Sequence, residues 1–116
     1  MAALTDLTWE QLVSQLPAGA IEVDTSGNVV INVGTVSGTP TNALADAGVI
    51  KFFSMLFTAA NKAQISANES QEDGEKLSAF SPATMGAASN GYITLTRPFV
   101  CRAELATAVN IIGTNA

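Results

Sequence analysis

The sequence predicts an α+β fold: a small antiparallel sheet packed on one long central helix, with a short helix on its N-terminal side. Three observations carry this. Residues 41–67, TNALADAGVIKFFSMLFTAANKAQISA, read as a single helix whose centre is the most apolar run of the chain and holds three of its five phenylalanines. Residues 21–33 and 91–103 are rich in β-branched side chains with partial alternation, as half-buried strands require. Residues 8–16 carry helix start and stop signals. A chain of 116 residues has the length of one domain, taken as 1–116.

The first helix is expected over Thr8–Leu16. Thr8 and Gln11 make a capping-box pair, in which a hydroxyl and a side-chain carbonyl satisfy backbone donors reciprocally. Trp9, Leu12, Val13 and Leu16 share one face, and Pro17 and Gly19 end the helix. Trp9 reads as a ring that pins this helix to the domain rather than as a stacking platform for a ligand.

Next comes a hairpin. Ile21–Asp24 and Asn28–Val33 flank Thr25-Ser26-Gly27, where Gly27 supplies the positive φ such turns need. The segment 34–40, GTVSGTP, reads as a flexible connector.

The long helix is expected to start at Thr41, a natural N-cap, with Pro40 discouraging helix before it and Asp46 suiting the helix dipole. Lys51, Ser54, Thr58, Asn61 and Lys62 fall on one polar stripe, and nearly everything else is apolar. That apolar arc is wider than one core-facing side requires. The run 43–60 is long enough to span a membrane, but Asp46 and Lys51 interrupt it.

Residues 68–76, NESQEDGEK, form the most polar segment and read as a solvated turn. Leu77–Phe80 is a candidate strand, and 83–90 reads as a surface loop ended by the Asn90-Gly91 turn signal. Gly91–Arg97 is the strongest strand pattern, and Phe99–Ala103 resumes it beyond Pro98. Residues 104–112 suit either a helix, with Leu105, Ala108, Val109 and Ile112 inward, or a strand.

Composition narrows the chemistry. The chain has no histidine, so the commonest general base and metal ligand are missing, and no Ser–His or Cys–His pair can form within it. Its net charge of −5 and five scattered Lys and Arg argue against nucleic-acid phosphates as a partner. The single Cys101 gives neither an internal disulfide nor a metal spacing, and strand alternation points it inward. Glu22 and Asp24, two apart on one strand, are the only paired carboxylates on regular structure and read as a solvated hairpin face. Arg97 and Arg102 are candidates to clamp an anion, with surface ion pairing as the simpler reading. No catalytic residue, metal site or cofactor is expected, and no membrane partner. The N-terminal MAALTDLTWEQL lacks the basic and apolar regions of a secretory signal, so the expected setting is cytoplasmic.

Only 13% of residues are charged, about half the usual share. Low charge and a wide apolar helix surface together predict a non-enzymatic structural or protein-interaction module that self-associates. The expected interface is the helix face of Phe52, Met55 and Ala59. The alternative is a small-ligand carrier, with an apolar pocket between helix and sheet lined by Phe53, Phe57, Met55 and Tyr92.

Overall fold

The structure, a computed structural model, describes residues 6–38, 48–103 and 111–112. The class is α+β, with one long helix, a short N-terminal helix and small antiparallel ladders. The strands do not join into one sheet. Among the described residues they form three separate two-stranded ladders.

Helix α1 spans Trp9–Val13, and the Thr8–Gln11 capping box is formed in both directions. Gln11 N–H donates to Thr8 Oγ1 at 3.1 Å, and Thr8 N–H donates to Gln11 Oε1 at 2.9 Å. Strands β1 (Ile21–Val23) and β2 (Val29–Ile31) pair antiparallel, with Glu22 opposite Val30. Gly27 closes the turn at φ +84°. The carboxylate of Asp24 accepts from the Ser26 and Asn28 amides, both at 2.9 Å. This Asx arrangement pre-forms the loop and commits Asp24 Oδ1 to the turn.

Helix α2, Val33–Ser37, replaces the expected connector. Gly38 follows at φ +76°, a left-handed C-terminal stop that few other residues tolerate. The connector reading fails because Val36, the one large side chain among the described residues with less than 2% exposure, packs this turn into the core. Residues 39–40 lie outside the described ones.

Helix α3 runs Val49–Asn68, 20 residues or about 30 Å. Gly48 is its N-cap, in extended conformation, so the helix is shorter than expected and Thr41 is not its cap. Glycine is costly inside a helix and acceptable at its start. Thr41, Leu44 and Asp46 lie outside the described residues. Along one side, α3 meets α1 and α2. Ala20, Ile21 and Val36 form the centre of this core, joined by Leu12, Val13, Leu16, Phe52 and Leu56.

Along its other side, α3 holds the chain that returns after the acidic turn. The side-chain amides of Asn61, Gln64 and Asn68 do this, at spacings of three and four on one face. Asn68 Nδ2 donates to the Leu77 carbonyl at 3.0 Å, and Leu77 N–H donates to Asn68 Oδ1 at 2.8 Å. Gln64 repeats this two-way pairing on Phe80 at 2.9 Å each way, and Asn61 Nδ2 also donates to the Phe80 carbonyl. Residues 77–80 therefore form no regular strand beyond the single bridge of Phe80 with Phe99, because helix side chains take the hydrogen bonds a ladder would supply.

From Phe80 to Phe99 the chain makes one irregular hairpin. Strands β3 (Thr84–Met85) and β4 (Leu95–Thr96) pair within it, and Ser89 and Tyr92 bridge its tip. Asn90 and Gly91 turn the chain there with φ of +54° and +82°, the pair of positive values a tight two-residue hairpin turn needs. The expected loop 83–90 is thus one arm of a hairpin. All five phenylalanines form one run of touching rings, 52–53–57 along α3 and then 80 and 99, with centroids 5.3–6.1 Å apart. Strand β5 (Arg102–Ala103) pairs with β6 (Ile111–Ile112), so a helix does not reach Ile112. Residues 104–110 lie outside the described ones.

Candidate functional site

An open apolar surface lies where the first turns of α3 face strand β4. Gly48 starts the helix without a side-chain cap, and Val49 and Ile50 follow it 66% and 85% exposed. Ile50, Phe53 and Phe57 recur at spacings of three and four, which places them on one helix face. Together with Leu95 they wall an open groove of about 290 Å³. Its polar corner is Ser54 with Arg97, whose Nε donates to Ser54 Oγ at 2.7 Å. That bond uses one of the five guanidinium donors and fixes the plane of the group. The groove therefore suits an apolar body that ends in an acceptor or an anion.

The two expected pocket rings on the helix, Phe53 and Phe57, line this groove. Tyr92 does not. It follows the tip turn of the hairpin and is 78% exposed. Val49, Ser54, Leu95 and Arg97 complete the lining, and of these the sequence singled out Arg97 alone, as half of an anion clamp with Arg102. Ser54 and Arg97 are 43 residues apart, and no spacing signal links them.

The expected interface face is divided. Met55 is exposed, but Phe52 packs half-buried against the Ala20–Ile21–Val36 core, and Ala59 is buried. Residues 52, 56, 59, 60 and 63 share the arc that α1 and α2 cover. The missed helix α2 supplies much of that cover, so the arc looked more available than it is.

Other candidates resolve as follows. Glu22 accepts from Asn32 Nδ2 at 3.2 Å, while Asp24 serves its turn, so the two acids do not act as a pair. The amide bonds to Asp24, led by that of Asn28, hold its carboxyl below the ordinary value of 3.8. Cys101 is an exposed free thiol, contrary to the buried position that alternation implied. Regular strand pairing begins only at Arg102, so alternation does not govern its side chain. In the acidic turn, Asp73 pairs with Lys76 at 3.5 Å. Among the described residues, no three acids or cysteines are grouped to hold a metal ion. Trp9 is 53% exposed and edges a shallow pocket of about 180 Å³ with Leu12, Ala60 and Phe80. No described helix is long and apolar enough to cross a membrane. No protein-family model matches the chain, and neither the curated proteins nor the solved structures show a significant likeness to it.

Proposed function

We propose that this chain is a non-enzymatic structural or interaction module that works as a homo-oligomer. The observation that carries the reading is an inverted distribution of apolar side chains. Of the eight buried apolar residues among those described, five are alanines: Ala20, Ala59, Ala60, Ala63 and Ala79. Large side chains stand outside instead, among them Val49, Ile50, Phe53, Met55, Tyr92 and Phe99. Burying an alanine removes much less apolar area from water than burying isoleucine or phenylalanine, so the large exposed side chains among the described residues leave apolar area that the single chain does not bury. Association buries it. On α3 the surface offered for this is Val49, Ile50 and Phe53, with Met55 on a neighbouring strip. An exposed free thiol fits a reducing compartment, in keeping with a cytoplasmic setting, and the net charge of −5 does not favour nucleic acid as a partner.

Light scattering on a size-exclusion peak tests the reading. The expected mass is a multiple of 11.9 kDa, and a monomer at micromolar concentration overturns it. A second reading rests on the Arg97–Ser54 corner, which would hold the carboxylate of a small amphipathic ligand while the rings take its tail. Long-chain carboxylates should then raise the melting temperature, and Arg97→Ala should abolish the rise.

A further inference from the structure

We infer that the outer edge of strand β2 pairs with the same edge of a second copy, so that two hairpins fuse into one four-stranded antiparallel sheet. The inference rests on the homo-oligomer reading and assigns it a surface apart from the helix groove.

The hydrogen-bond phase of the hairpin identifies the edge. Asp24 N–H donates to the Asn28 carbonyl at 2.8 Å, and Asn32 N–H donates to the Ala20 carbonyl at 2.7 Å. In an antiparallel ladder bonded and non-bonded pairs alternate, so the bonded pairs are 20–32, 22–30 and 24–28. The backbone groups of Val29 and Ile31 therefore point away from β1. Among the described residues, no backbone or side-chain group bonds to them. An isolated two-stranded hairpin is marginal in water, and a third strand over an apolar face is what stabilises it. Here Val23, Val29, Val30 and Ile31 are all exposed.

Charge selects the occupant and the edge. Self-pairing of β1 centred on Glu22 would set that carboxylate directly across from its own copy, with like charges opposed. Self-pairing of β2 centred on Val30 sets Val30 against Val30, inside an uncharged run from Asn28 to Val33. That run has no lysine or proline, two of the devices that keep edges from pairing. Centring on Val30 places Val29 opposite Ile31 of the second copy, and the two pairs exchange four main-chain hydrogen bonds. The contact uses the same patch on both copies, so it closes as a dimer rather than growing into a fibre.

Charge swapping tests this. In an E22Q background, which clears the nearest like charge, V30K and V30E should each raise the dissociation constant about two- to fivefold. An equimolar mixture should restore association, because lysine then faces glutamate. If wild type is itself a monomer, both the oligomer reading and this pairing fall. If wild type associates and the charge variants associate equally well, edge pairing alone is overturned. Loss of association that the mixture does not rescue also overturns it. Should the variants fail to fold, hydrogen exchange of wild type decides. Val29 and Ile31 amides must be protected at high protein concentration and exchange freely on dilution, and equal exchange at both concentrations counts against the pairing.

Discussion

Replacing Gln64 by alanine should cost about 2–5 kcal/mol of stability, an unusual amount for losing a polar side chain. Gln64 is 8% exposed, and its amide meets both the N–H and the carbonyl of Phe80 at 2.9 Å. Two neutral hydrogen bonds contribute about 1 kcal/mol each in net terms. The Phe80 carbonyl keeps its bond from Asn61, but the Phe80 N–H is left without a partner, at a further cost of about 1–3 kcal/mol if water does not reach it. Urea unfolding reads the loss directly, beside a control such as Gln15→Ala in the exposed turn just after the first helix. Hydrogen exchange should localise the effect, with the Phe80 amide losing protection before the Ala20–Ile21–Val36 core does. If Q64A unfolds within about 0.5 kcal/mol of wild type, the side-chain amides do not hold the returning chain to α3 and the reasoning is refuted.

Three further outcomes follow from the same structure. Asp24 has its carboxyl pKa lowered by the turn amides, so its stabilising contribution is complete above the ordinary value of 3.8 and is lost as pH falls through the lower folded value. The stability gap between wild type and D24N should therefore shrink as pH drops below about 4, and a gap that is constant from pH 5 to 2 would mean the turn does not need the charge. Ile50→Asp should break contacts made through the α3 groove and lower the mass of any assembly larger than the β2-paired dimer, while leaving that dimer and cooperative melting intact, since Ile50 is 85% exposed. Phe52→Asp should instead unfold the subunit, because Phe52 packs on the core; scattering and circular dichroism on both variants would expose the opposite pattern.

What was legible in advance is what local chemistry decides. Thr8 and Gln11 are three residues apart and cap a helix through their own backbone. Asp24, Gly27, Asn90 and Gly91 turn the chain by their own conformational preferences and side-chain bonds. The apolar run from Val49 can only be a helix of considerable length, although its start was placed too early because Gly48 was not read as a cap. Helix α2 was missed because its reason to form is not local: five residues with two threonine or serine positions and a glycine hold only once Val36 finds the pocket between α1, β1 and α3.

The sequence by itself determined the class of fold, the capped first helix, the hairpin at 21–31 and the central helix, because each follows from backbone stereochemistry and hydrophobic period within a dozen residues. Only the tertiary structure decided which faces of that helix are spoken for. Asn61 and its neighbours looked like a stripe for water, yet Asn61, Gln64 and Asn68 bond a backbone 9–19 residues further on. Phe52 and Ala59 looked available to a partner, yet α2 and α1 cover them. A side chain's period tells which direction it faces, but what waits in that direction depends on where distant segments of the chain arrive.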